Sequence, residues 1–252
     1  MSKTLDLNCD MGESYGAWPM GNDSAVLPLV SSANIACGFH GGDPGTMRKT
    51  VALALANGVA IGAHPSLPDL GGFGRRVMQI TPQEAYDMVV YQLGALAAVV
   101  ASQGARLHHV KAHGALYNMA AKDAALARAI CAAVRDVDRE LMVYGLAGSV
   151  WISEAQAAGL RVAQEVFADR SYQEDGSLTP RTQAGAMITD AEQAVAQVLQ
   201  MVLDGSVTSL TGKRVPLTAD TLCIHGDQPD ALRFASAIRH ALSARNIRVQ
   251  AA

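Results

Sequence analysis

No stretch of eighteen residues in this chain is both apolar and uncharged, which argues against a membrane-spanning helix. The opening MSKTLDLNCD carries no signal-peptide core and runs straight into a strand pattern, so a soluble, cytoplasmic protein is expected. Lysine and arginine never cluster, and the formal charge is −3; nucleic acid and anionic membranes are therefore not expected as main partners. The four cysteines include no CxxC pair, which favours reduced thiols over a disulfide framework or a cysteine zinc site. Several chemical signatures are missing as well. No GxGxxG follows the first strand pattern, and HExxH does not occur. TGKRV at 211–215 lacks the upstream glycine of a phosphate-binding P-loop and suits the turn of a small hairpin.

What is present is regular alternation. A chain of 252 residues can bury about 75 % of the surface it would expose unfolded. Helix boundaries are legible: Asp43 and Pro44 open a segment that stops at Gly58, and Thr81, Pro82 and Glu84 open one that stops at Gly104. Thr189 and Glu192 repeat the design up to Gly205, and Pro229 stands near another start. Further helical patterns cover about 24–30, 122–138 and 149–158. Between them lie β-rich runs at 4–9, 33–37, 59–63, 107–112, 141–145, 161–167 and 221–225. Seven βα units without a break in composition predict one α/β domain over residues 1–252, a seven-stranded parallel, TIM-like barrel.

The strand phases point to chemistry. Run one separates Leu5, Leu7 and Cys9 from Asp6, Asn8 and Asp10, and in a barrel the polar set should face the lumen. The fourth run offers His109, Lys111 and His113 in one phase; the third ends on His64, the seventh gives His225 and Asp227, and Asn34, Tyr144 and Glu165 lie on the remaining runs. A lone strand histidine is more often a satisfied core group than a catalyst. Unpaired burial of so many polar groups would cost about 1–3 kcal/mol apiece, so their coincidence across the strands favours a site at the C-terminal mouth.

Around that mouth, His40, Gly41 and Gly42 lie in a loop whose backbone N–H groups and following helix start suit an anion; a tight turn explains the same glycines. Arg75 and Arg76 can clamp a carboxylate or phosphate, or be a solvated pair. Residues 165–181, with Arg170, are too charged for a core strand and read as a lid or substrate loop. Asp10, His64 and His113 are suitable zinc or manganese ligands, although a hydrogen-bonded acid/base network uses the same residue types.

At these positions the sequence resembles the LamB/YcsF family. The matching pieces are DLNCDMGESYGAW, SANIACGFHGGDP, GAHPSLPD, GFGRR, HVKAHGALYN, EVFADRSYQEDGSLTPR and CIHGDQP, which run from residue 5 to 229 in family order. One departure is Ala112, where the family usually has proline. The resemblance implies a barrel of glycoside hydrolase/deacetylase type. It also implies opening of 5-oxoproline to L-glutamate coupled to hydrolysis of ATP, bound with Mg as co-substrate, and two partners, the 5-oxoprolinase subunits B and C. On that chemistry, Asp10 with His113 or His64 handles protons, Lys111 stabilises transferring charge, and Glu165 and Asp227 orient imidazoles. Asn8, Asn34, His40, Gly41, Gly42, Arg75, Arg76, Arg170 and His225 are the expected substrate and anion contacts. Burial would lower the Lys111 pKa and Asp10 would raise it, a balance that sequence leaves open. The alternatives are a stand-alone metal-dependent amidohydrolase or deacetylase, and a non-catalytic lactam-binding subunit.

Overall fold

Alternation of apolar and polar residues along β1 (Thr4–Met11) sends Leu5, Leu7 and Cys9 into the main apolar core, while Asp6 and Asn8 bond across the strands. The computed structural model describes residues 3–224 and 231–252. After β1 come β2 (Ser32–Ala36), β3 (Ala60–His64), β4 (His109–Val110), β5 (Met142–Leu146) and β6 (Arg161–Phe167). A hairpin of β7 (Ser206–Thr208) and β8 (Arg214–Pro216) follows, then β9 (Thr221–Ile224). Strands β1 to β6 pair in order and in parallel, β6 pairs with β9, and β9 returns to β1 through Asp6↔Thr221 and Asn8↔Cys223, closing the expected seven-stranded barrel. The short β10 (Arg248–Val249) lengthens the sheet beside the start of β1. TGKRV lies in the β7–β8 turn and first residues of β8, as a hairpin turn should.

Helices fill the outer layer: α1 (Asp23–Val26), α2 (Pro44–Ala56), α3 (Pro82–Ala101), α4 (Gly114–Ala120), α5 (Ala124–Val137), α6 (Val150–Ala157), α7 (Ala191–Asp204) and α8 (Ala231–Ala244). Asp43 caps α2 by accepting from the N–H groups of Gly45 and Thr46, and Thr81 and Glu84 form the capping box of α3. For α7 the cap is Asp190 instead of Thr189, because it is the Asp190 carboxylate that accepts the Gln193 N–H (2.8 Å). The run at 107–112 shrinks to two paired residues, and Gly114, at φ 58°, turns the chain into α4, which the sequence pattern did not anticipate. Pro229 lies outside the described residues. Among the described residues, α3 is long and apolar enough by length and composition to cross a membrane; it packs on α5 and buries Val89, Leu93, Leu96 and Val100. All four cysteines are buried free thiols.

The lumen is polar, unlike the aliphatic filling usual in such barrels. Asp6 accepts from Ser31 Oγ (2.6 Å), Ser32 Oγ (2.8 Å) and Thr221 Oγ1 (2.6 Å), and burial still raises its pKa. His109 stacks on Tyr144 (centroids 4.0 Å apart), and its Nε2 donates to Asn34 Oδ1 (2.7 Å). Burial first, then the charges of His108 and Lys111, push the His109 pKa well below its ordinary value. The unfolded ring takes a proton below pH ~6.5 and the folded one does not, so this residue's contribution to stability is present above that pH and lost as pH falls. Denaturant midpoints measured on both sides of pH ~6.5 should therefore show a steeper acid loss for the native chain than for His109→Gln. Equal slopes would place the dependence on other groups.

Candidate active site

A cavity of about 360 Å³ opens at the C-terminal ends of the strands. Its floor is held by Lys111, 3 % exposed, at the end of the short β4 segment. The ammonium lies 2.8 Å from Glu165 Oε1, 2.9 Å from Asp10 Oδ1, and 3.1 Å from both Asn8 Oδ1 and Cys223 Sγ. Asn8 in turn donates to Glu165 (3.0 Å) and Thr221 (2.7 Å), and Asn34 donates to Asn8 and Asp10 (2.8 Å each). Four strands thus lock one cation in place. Burial alone would drive the Lys111 pKa down, but the charges around it, Asp10 foremost and Glu165 among them, outweigh that and hold it well above its ordinary value. The Cys223 thiol beside it is pushed well up by burial and stays protonated. Glu165, expected to orient an imidazole, pairs with Lys111 instead.

Three histidines stand next to this floor. His64 Nδ1 donates to the Lys111 carbonyl (2.7 Å), and His113 Nε2 donates to the Phe73 carbonyl (2.8 Å). Their other nitrogens face each other at 3.0 Å, with Asp10 Oδ2 at 3.3 Å from His64 and Glu13 Oε1 at 3.4 Å from His113. His40 lies flat on His113 (3.8 Å, 3° between planes) and reaches Glu13 Oε1 at 3.1 Å. Burial, followed by the neighbouring imidazoles, pushes the pKa values of His40 and His113 well down, so both rings are neutral.

The glycines of this loop serve packing. Gly42, at φ +78°, donates its N–H to Ser14 O (3.0 Å), and a Cβ at Gly41 would stand 2.6 Å from Glu13 O. They let the 38–42 loop press on the 12–14 segment, which is how His40 meets Glu13; the Gly42 N–H that would approach an anion is already engaged. Arg75 and Arg76 point apart. Arg75 lines the cavity with its guanidinium 5.0 Å from the Phe73 ring, while the exposed Arg76 pairs with Asp69 (Nε at 2.8 Å) and lies outside the lining. Adjacent residues in a turn present opposite faces, so the pair forms no fork.

Arg170 is buried in the cavity wall; its Nη2 donates to Thr179 O (2.6 Å), while burial and the nearby Arg181 lower its pKa to about 10, still cationic at neutral pH. His225 and Asp227 lie outside the described residues. Among the described residues, Arg75, Lys111, Lys122, Arg170 and Arg181 line the cavity with Asp10 as the one carboxylate, a balance that favours an anionic guest.

The LamB/YcsF family model matches residues 5–252. The chain belongs to the LamB/YcsF family. It is 76 % identical, over the whole of both chains, to a protein of Bordetella parapertussis named as the A subunit of 5-oxoprolinase. A solved structure of a lactam utilization protein from Thermus thermophilus superposes with a TM-score of 0.94 at 51 % identity, covering 99 % of this chain and 100 % of that one. A family 4 carbohydrate esterase from Streptomyces lividans, 10 % identical with a TM-score of 0.50 over 98 % of this chain and 91 % of its own, shares the fold alone.

Sequence reasoning missed three residues of this LamB/YcsF cavity region. Glu13 follows β1 in DMGES, one loop residue beyond the strand phase. Tyr117 lines the cavity from α4, its phenol pKa raised by burial and then by Glu165. As one of four expected reduced thiols Cys223 carries no site signal of its own, and only strand closure brings it to Lys111.

Proposed function

We propose that this chain opens 5-oxo-L-proline to L-glutamate, with hydrolysis of ATP to ADP and phosphate, in an assembly with 5-oxoprolinase subunits B and C. The observation that carries the reading is the Lys111 ammonium clamped between Asp10 and Glu165 beneath a cation-lined cavity; the names borne by the relatives supply the lactam. A cavity of about 360 Å³ has room for a five-membered lactam.

A lactam carbonyl resists water because nitrogen donates into it. Transfer of the terminal phosphoryl group of Mg-bound ATP to the lactam oxygen leaves ADP and an electrophilic ring carbon. Water then adds to that carbon and gives its proton to a base, a role that Asp10 is placed to fill. Collapse breaks the ring C–N bond, and the nitrogen takes the proton that Asp10 accepted from the water. A second water releases phosphate from the resulting acyl phosphate, so one water serves the lactam and one the phosphate. Lys111 lowers the cost of the charge that develops on oxygen, and Arg75, Arg170 and Arg181 hold the substrate carboxylate or phosphate.

Co-expression with candidate B and C chains tests this. With 5-oxoproline and Mg-ATP, glutamate and phosphate should appear in equal amounts, and omission of ATP or of any one of the three chains should stop both. Glutamate formation by the isolated chain without ATP would overturn the reading.

A further inference from the structure

The two carbonyl contacts at the histidine cluster carry information beyond acid/base chemistry. A carbonyl oxygen only accepts, so the hydrogen of His64 is on Nδ1, facing Lys111 O, and that of His113 is on Nε2, facing Phe73 O. His64 Nε2 and His113 Nδ1 are therefore the ring nitrogens turned toward the cluster. They face each other at 3.0 Å, and carboxylate oxygens of Asp10 and Glu13 stand 3.3 and 3.4 Å away. Two ring nitrogens and a carboxylate oxygen converging at that spacing form a donor set suited to a divalent cation.

We propose that His64 Nε2, His113 Nδ1 and Glu13 Oε1 bind a divalent transition-metal ion, zinc or manganese, at the inner end of the cavity. Ligands held about 2.1 Å from one tetrahedral centre lie about 3.4 Å apart. The separations here, 3.0 Å between the imidazoles and 3.4 Å from His113 to Glu13, are near that edge length, and all the candidate ligand atoms lie within 4.8 Å of one another.

The support behind the ligands fits the same assignment. Metal-bound imidazoles commonly donate their second N–H to a carbonyl, which fixes tautomer and ring orientation, and both rings do so. Phe73, the acceptor for His113, is held in the left-handed region at φ 54°, a conformation that costs a non-glycine residue about 1–2 kcal/mol and that delivers its carbonyl to this ring. His40 lies against His113 and approaches the Glu13 oxygen; it is a positioning residue for that carboxylate. His64 and His113 line the cavity, so the ion keeps a coordination position open toward it. This proposal rests on ring tautomers and ligand spacing, and its outcome is independent of whether the chain opens a lactam.

The test uses the full chain stripped with a chelator, then titrated with cobalt(II), read by visible absorption, and with zinc(II), read by calorimetry. One ion should bind per chain. Glu13→Gln and His113→Gln should each weaken binding by more than the roughly 10–100-fold typical when only a residue behind a ligand is changed. His108→Ala, at a half-buried histidine outside the cluster, should bind as the native chain does. Thermal unfolding of the metal-free variants checks the fold; if His113→Gln fails to fold, Glu13→Gln decides alone. Absence of saturable binding to the native chain, or native affinity in a folded Glu13→Gln or His113→Gln variant, would overturn the assignment.

Discussion

Lys111→Met should reduce ATP-coupled glutamate release in the reconstituted assembly by at least about 100–1,000-fold, the range for removing one preorganised donor at a site of developing charge. The structure adds a second consequence that the sequence does not suggest. Glu165 is completely buried, and Lys111 lies within 2.8 Å of it. Removing one partner of a buried pair strands the other charge, at a cost of about 3–5 kcal/mol. Lys111→Met should therefore also lower the unfolding midpoint. The double variant Lys111→Met/Glu165→Gln separates the two effects: it should regain much of the lost stability, because a neutral amide replaces the stranded carboxylate, and remain inactive. Turnover within tenfold of native in either variant would remove Lys111 from the mechanism.

Gly62→Ala should be the most damaging single methyl in the lumen. A Cβ at Gly62 would stand 2.1 Å from His109 Nε2, far inside contact distance. The ring cannot yield cheaply, since it is stacked on Tyr144 and bonded to Asn34, whose amide bonds Asn8 and Asp10. Overpacking costs about 1–3 kcal/mol, and a broken buried hydrogen bond costs about as much again. The expected loss is about 3–5 kcal/mol, a fall in Tm of roughly 10 °C for a chain this long. Gly94→Ala in the middle of α3 is the matched control: a Cβ there meets nothing within 4 Å, so it should stabilise the helix by about 0.5–1 kcal/mol. Calorimetric melting of the two variants checks both signs, and a native-like Tm for Gly62→Ala would mean that the lumen tolerates repacking at its narrowest contact.

Much of the architecture is written in local periodicity. The alternation of Leu5, Leu7 and Cys9 with Asp6, Asn8 and Asp10 already separates a helix-facing from a lumen-facing side, and Asp43, Thr81 and Glu84 mark helix starts through bonds within a few residues of themselves. The same local view places the α7 cap one residue early, because Thr189 and Asp190 have equivalent capping chemistry and only the backbone path selects the residue that reaches Gln193. Arg75 and Arg76 look alike in sequence, yet the turn that Phe73 begins sends one to the cavity and the other to Asp69.

By itself, the sequence determined the βα alternation, the polar phase of each strand and the presence of Lys111 and His113 on one side of their segment, since these follow from dihedral periodicity and short-range capping. Only the tertiary structure decided that Lys111 remains charged, that Glu165 serves it instead of a histidine, and that Glu13 joins His40 and His113. Those outcomes depend on how residues from distant strands meet once the barrel closes: the local dielectric and the few ångströms between charges set protonation, and neither exists until β9 has paired with β1.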